Sequence, residues 1–233
     1  MISVLIPYLA YPPYTEQIDV VLDDLSRQTA TLEIHISEQP VVGKHDRICK
    51  GKLHNRGFAE SLGDIIFHCD ADIRFEDVTL LERMEDKLRS DDLDVIYPMF
   101  WSDKFEIAKL ADGHPFMTRE VREEYGPLNE KDLGTSLQEF RILEWLYFKK
   151  RFHCSKEFMF HLNLLPFTKD SNDRHKIDIA TKRECVPIAN RVVRELTKEG
   201  LWPDVLFAGE TPEKQSSDIR NPTSTRSGQE LKM

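Results

Sequence analysis

FHCDADIRFED, residues 67–77, places two carboxylates, Asp70 and Asp72, one residue apart, straight after the apolar run DIIF (64–67). A run of that kind fills the middle of a sheet. Its arrival at two acids has two readings. The strand ends in a solvated polar turn, which is the usual fate of Asp-x-Asp in an acidic protein, or it delivers the acids to a cation. In extended chain, residues i and i+2 project to the same side. One or both carboxylates can then reach a hard divalent ion such as Mg²⁺ or Mn²⁺. The elements around the stretch decide between these readings.

Working outward, ISVLIPY (2–8) is β-branched and apolar and reads as a buried strand. Residues 14–28 carry Ile18, Val21, Leu22 and Leu25 at helical spacing. LEIHISE (32–38) alternates as a second strand, and VVGKHDRICKGK is a loop. LHNRGFAESLG reads as a helix ended by Gly63, DIIFHC as the third strand, VTLLERMEDKLRS as a helix and DLDVIYPM as a fourth strand. This alternation predicts an α/β fold, a Rossmann-like and mostly parallel sheet with helices on both faces. Past Pro98 the pattern loosens. KFEIAKLADGHPFMT has room for one or two strands, Thr118 is placed to cap a short helix, and residues 136–152 form a helix. KEFMFHLNLLPF reads as a strand running into a loop. A C-terminal helical segment follows, with Pro187 as a kink or break.

The 233 residues suit one domain over 1–208 with a polar tail at 209–233. Hydrophobic residues at 40% and charged residues at 31% fit a soluble globular protein, and no apolar run is long enough for a membrane span. MISVLIPYLAYPP lacks a basic n-region and reads as a strand, not as a signal peptide. The net charge of −9 argues against nucleic acid as a partner. Cys49, Cys69, Cys154 and Cys185 form no CxxC pair, which argues against a zinc cage and for a reduced, cytoplasmic setting.

In an open α/β sheet, ligands bind beyond the carboxyl ends of the strands. Tyr8, Glu38 with Gln39, and Asp70 with Asp72 all fall at such ends and would converge on one crevice. The combined order GKLHNRGFAESLGDIIFHCDADIRFED resembles a segment of the GT-A fold, nucleotide-sugar-dependent glycosyltransferases of families 2 and 7. There it reads Lys-Leu-x-Asn-x-Gly-Phe, a helix, and a strand ending in Asp-x-Asp. Here those letters are Lys52, Leu53, Asn55, Gly57, Phe58, Asp70 and Asp72. The likeness runs through residues 1–80, recurs in patches from 110 to 175 and does not reach the tail.

The resemblance implies a nucleotide-binding half over 1–100, an acceptor-side half over 101–208, and roles for single residues. Pro7 and Tyr8, in the loop after strand one, would flank the nucleotide base and ribose together with Glu38. Lys50 and Lys52 would sit near the phosphates, Asn55 would position the loop, and Asp70 with Ala71 would face the ribose or sugar. Asp72, assisted by Asp70 and by His161 on the last core strand, would hold Mn²⁺ or Mg²⁺. Phe158 stands where the galactosyltransferases use a Met. Glu139 would be the catalytic base, with Asp132 and Glu144 in reserve, since Gln138 stands where an acid is common. Trp101, read as a loop residue, would face the acceptor. The implied partners are a nucleotide diphosphosugar, most simply a UDP-sugar, and a glycan or lipid-linked glycan acceptor, with room for a homo-oligomer. The implied activity is inverting transfer of a hexosyl group. Each residue also has a structural reading: an exposed acid for Glu139, surface lysines for Lys50 and Lys52, a core-edge histidine for His161. The alternatives are an inactive glycosyltransferase-like binding module, a sugar nucleotidyltransferase, whose Gly-rich basic loop after strand one is missing from YLAYPPYT, and a non-enzymatic scaffold.

Overall fold

The structure, a computed structural model, describes residues 1–10, 14–41, 47–102, 107–133, 139–162 and 179–202. β1 (Ile2–Ala10) is apolar on both faces and buried almost throughout, as a strand inside a sheet must be. β2 (Leu32–Pro40) lies parallel to it over its whole length. β3 (Ile65–His68) lies parallel on the other side, but only against Ile2–Leu5. Pro7 therefore sits beyond the β3 pairing, where a residue without an N–H is tolerated. This corrects the expected loop at Pro7 and Tyr8: both lie within β1, opposite Ser37 and Glu38.

Three helices connect the first strands: α1 (Tyr14–Ser26), α2 (Lys50–Glu60) and α3 (Leu80–Ser90). The two-residue β4 (Ile73–Arg74) follows the acidic turn, and β5 (Val95–Ser102) follows α3. β6 (Ile107–Leu110) and β7 (Phe116–Thr118) come next. α4 (Arg119–Tyr125) is capped as the sequence suggested, the Thr118 hydroxyl accepting from the Val121 amide. The chain ends its described part with α5 (Glu139–Lys149), β8 (Phe152–Leu162) and α6 (Ile179–Lys198). Pro187, expected as a kink or break, lies inside α6. The expected tail at 209–233 lies outside the described residues.

The strand order is β2-β1-β3-β7-β5-β8-β4, with β6 paired to β5. β1, β2, β3, β5 and β8 run one way, while β4, β6 and β7 oppose them. The sheet is thus mostly parallel, but β7 enters it antiparallel between β3 and β5. The chain reaches β7 from β5 by way of β6, with no helix among the described residues between them, and a parallel return needs a crossover of a dozen residues or more. Pro98 falls where β5 shifts register against β8, a bulge that spares it a ladder bond.

Side chains alternate strictly between two cores. Val4, Ile6, Ile65, Phe67 and Ile96 pack with α1 and α3. Leu5, Ile66, Val95 and Tyr97 pack on the opposite face with α4, α5 and α6. α2 joins that second face, and Gly57 lets it settle against Leu5 and Ser37. Gly63 does not end α2. The helix stops at Glu60, and Gly63 instead abuts β1, its amide donating to Ser3 Oγ at 2.8 Å. No helix among the described residues is long and apolar enough to cross a membrane.

Candidate active site

The apolar run of β3 ends at His68, and Asp70, Ala71 and Asp72 make a turn into β4. The acids do not continue the strand as the i, i+2 argument assumed. The far side of the turn is anchored by Asp24 of α1, whose side chain is fully buried. It accepts from Arg74 Nε (2.7 Å) and from the Phe75 amide (2.9 Å), and it pairs with Arg27. Burial alone would raise the Asp24 pKa, but these hydrogen bonds and charges outweigh it and hold the carboxyl below its usual range. Asp24 is a positioning residue that sequence reading passed over, because it sits among the other acids of an amphipathic helix.

Lys50, at the first position of α2, reaches across to this turn. Its Nζ donates to Asp70 Oδ2 at 2.6 Å and to Glu139 Oε1 at 2.8 Å. All three side chains are largely buried. Burial works against the charge on Lys50, yet the two carboxylates hold its pKa above the ordinary value. Burial also opposes ionisation of Asp70, but the charges of Lys50 and His114 bring it down to about 2. His114 Nε2 is 3.7 Å from Asp70 Oδ2. Glu139 opens α5, where the helix N-terminus favours an anion. Its pKa is nevertheless raised, chiefly by burial against the opposing pull of Lys50, with Asp70 and Asp112 adding repulsion.

Asp72 is less well compensated: the charge of Lys50 and its own backbone amide do not offset its burial. Its Oδ1 is buried and finds no hydrogen-bond partner among the described residues. Burial, and then the charge of Asp70, push its pKa up to about 7. The cluster therefore gathers three carboxyls around one lysine, a local excess of negative charge with an open oxygen at Asp72. That donor set suits a hard cation completed by ligand oxygens. The protein does not supply a full cage: among the described residues no three His, Cys, Asp or Glu side chains are spaced to hold a metal by themselves. His161 lies on β8 opposite Arg74, on the strand beside the turn, and its Nε2 stands 3.5 Å from Glu76.

The remaining sequence-selected residues divide. Asn55 positions a loop in the literal sense. Its Nδ2 donates to the Leu128 carbonyl and to Glu130 (both 2.9 Å), and its Oδ1 accepts from the Leu128 amide (2.8 Å) and from Arg122 (3.0 Å). Gly51 lets that loop close on α2, since a Cβ there would stand 2.4 Å from the Asn129 carbonyl oxygen. Lys52 points to the exposed side of α2, away from the acids Lys50 holds. Tyr8 is buried in the α1-side core, its pKa raised by burial and then by Glu38 and Asp19. Glu38 is exposed. Asp132 is engaged by Arg141 (2.8 Å) and Asn129 (3.0 Å). Glu144 pairs with Arg191. Trp101 is part of β5, opposite His161 and Ala108, not of a loop. Trp145 packs edge-on against Tyr125 under Lys150.

Two histidines that the sequence reading left unremarked stand beside the cluster. His54 of α2 and His68 of β3 stack with ring centroids 4.0 Å apart and planes 16° from parallel. Burial holds both well below the ordinary histidine range, His54 at about 3. The only signal in the sequence was a polar residue in line with Ile66 on an otherwise apolar strand face.

A scan against protein-family models and a search of curated proteins both return no match. Solved structures do match. S. aureus TarS (1–349) superposes with a TM-score of 0.55 at 11% identity, covering 84% of this chain and 65% of that one. TarS has also been solved with UDP and with UDP-GlcNAc. The mannosyltransferase PcManGT from Pyrobaculum calidifontis, in complex with GDP-Man and Mn²⁺, gives 0.53 at 11% identity, covering 85% and 63%. A Drosophila β1,4-galactosyltransferase 7 mutant, complexed with manganese, UDP-Gal and xylobiose, gives 0.50 at 15% identity, covering 76% and 80%. The chain spans less than two thirds of the first two proteins. At these identities the likeness is one of architecture: the chain has the GT-A glycosyltransferase fold.

Proposed function

We propose that the chain is a metal-dependent glycosyltransferase of the kind grouped in families 2 and 7. It would move a hexosyl unit from a nucleotide diphosphosugar, with UDP the first candidate, to a hydroxyl of a glycan or lipid-linked glycan. The observation that carries this is the buried acid cluster at the carboxyl end of β3. Asp72 offers an unpaired buried oxygen there, and Lys50 joins Asp70 to Glu139. A purely structural turn gains nothing from burying three carboxyls around one lysine. The neighbours' complexes with UDP-GlcNAc, GDP-Man and UDP-Gal support the class of donor, and two of them contain manganese.

Asp72, with Asp70 beside it, would hold Mn²⁺ or Mg²⁺ together with the donor's phosphates. When bound, the cation offsets the charge that builds on the departing nucleotide. Glu139 would accept the proton of the attacking hydroxyl. Its raised pKa suits a general base, which works best near the operating pH. A single base opposite the leaving group gives inversion. Lys50 would keep Glu139 and Asp70 in fixed relation until the donor arrives. Asn55 would hold the 127–130 loop, and Asp24 the acidic turn. His161 would join the metal set only by leaving Glu76.

The test is titration calorimetry of UDP and GDP, each with Mn²⁺, with Mg²⁺ and with chelator, on the wild type and Asp72→Ala. Binding that requires metal and disappears in the variant is expected. No nucleotide binding under any condition would remove the transfer reading and bring the non-enzymatic scaffold alternative to the front.

A further inference from the structure

A cavity of about 230 Å³ lies between the start of α2, the end of β3, the 127–132 loop and the first turn of α5. His54, His68, Asn129, Asp132, Glu139 and Arg141 are on its wall. It is far larger than the roughly 10–15 Å³ that admits one water. His54 and His68 are each 2% exposed. Both nitrogens of His54 and Nε2 of His68 find no hydrogen-bond partner among the described residues.

Buried imidazole nitrogens left unpaired are costly, and apolar residues of similar shape would remove that cost. Here two such rings are stacked on one wall of an otherwise mixed cavity. A neutral imidazole shows one N–H donor and one bare acceptor. Its complement must therefore donate and accept over a short span. A phosphate or carboxylate only accepts, and an ammonium only donates. Adjacent hydroxyls do both. Asn129, Asp132 and Arg141 line the cavity too, bonded to one another. The cavity also touches Glu139, so a ring seated in it lies beside the proposed base.

We propose that this cavity is a pocket for one neutral, hydroxyl-rich ring, a single monosaccharide unit, whose hydroxyls are read by His54 and His68. The proposal rests on the glycosyl-transfer reading above. The ring comes either from the donor's transferable sugar or from the acceptor's terminal sugar.

The test is NMR of the histidine rings in ¹⁵N-labelled full chain with Mn²⁺ replaced by Mg²⁺. Ligands are UDP alone, then UDP-Glc, UDP-Gal and UDP-GlcNAc, then methyl glycosides of the same sugars with UDP present. The His54 and His68 ring signals should move with a sugar-bearing ligand and stay in place with UDP alone. Movement with a UDP-sugar assigns the pocket to the donor, and movement with a methyl glycoside assigns it to the acceptor. His54→Phe and His68→Leu should each weaken that ligand tenfold or more while leaving UDP affinity within twofold. The wild-type spectra carry the test if a variant does not fold. Ring signals unmoved by every sugar overturn the pocket. If UDP still binds in that case, the transfer reading stands and only the pocket is lost; if UDP does not bind either, both are lost.

Discussion

Lys50 Nζ stands 2.6 Å from Asp70 Oδ2, and the same nitrogen holds Glu139, so one buried lysine serves acids from two halves of the chain. Replacing it with Met should cost about 3–5 kcal/mol, because two carboxylates would then be buried without their counter-charge. The pH dependence follows from the directions of shift. Lys50 has its pKa raised, so its contribution is full below 10.5, its ordinary value, and fades at higher pH. Asp70 has its pKa lowered to about 2, so its contribution is present above 3.8 and fades as pH falls toward 2. In Lys50→Met the uncompensated buried carboxyls titrate above their ordinary range, so the deficit in chemical denaturation should be largest at neutral and mildly alkaline pH and shrink as pH falls through the carboxylate range. A deficit that grows in acid would contradict the pairing.

Asp72 has the opposite sign. A carboxyl whose pKa rises from 3.8 to about 7 on folding destabilises the protein above 3.8, increasingly so up to 7. Asp72→Asn should therefore raise the melting temperature at pH 8 and leave it nearly unchanged at pH 4. Mn²⁺ with UDP should raise the melting temperature of the wild type and not that of the variant. A variant less stable at pH 8 would show that Asp72 is held by partners the charge argument omits.

The parts of this design that the sequence displays are those governed by period and by end signals. Ile2–Tyr8 and Ile65–Phe67 alternate between two cores, while the edge strand β2 alternates with Ile34 and Ile36 left exposed, and the order of strands and helices follows from these periods. Thr118 caps its helix because capping is local. What stayed hidden depends on distance across the chain. No local feature says that β7 enters antiparallel, since that depends on how β5, β6 and β7 return through the sheet. Asp24 and His54 look like ordinary helix residues until Arg74 and His68 come to meet them. The resemblance implied a loop at Pro7 although ISVLIPY reads as strand; Pro7 stays in the strand because β3 is too short to reach it and ask for its missing N–H. Lys50 and Glu139 carry separate roles in the sequence, and the bond they share joins positions 89 apart, which no local pattern announces.

Asn55 carries four hydrogen bonds to the 122–130 region, two of them to the backbone of Leu128. Asn55→Ala should lower stability by about 2–3 kcal/mol, the cost of leaving the Leu128 groups and the buried Arg122 short of partners. The loop it holds also lines the cavity beside Glu139. A second effect is therefore expected in turnover assays: saturation by the sugar-bearing substrate should weaken more than UDP binding does. Equal weakening of both would assign Asn55 to the stability of α2 alone.

Glu139 is the base of the proposed reaction. Its carboxylate is bonded to Lys50, it opens α5, and Gly113 lies so close that a Cβ there would stand 3.2 Å from Glu139 Cδ. Glu139→Gln keeps the shape and can still accept from Lys50, so folding and nucleotide binding should be preserved. It cannot take a proton, and transfer should fall by roughly 10²–10⁴. Gly113→Ala tests the same group differently. The carboxylate must yield by a few tenths of an ångström, so turnover should drop while Glu139 remains chemically intact. Measured together with calorimetry, the two variants separate loss of the base from loss of its position. Full turnover in Glu139→Gln would move the base elsewhere, and Asp132, buried against Arg141 and Asn129, would be the next residue to replace.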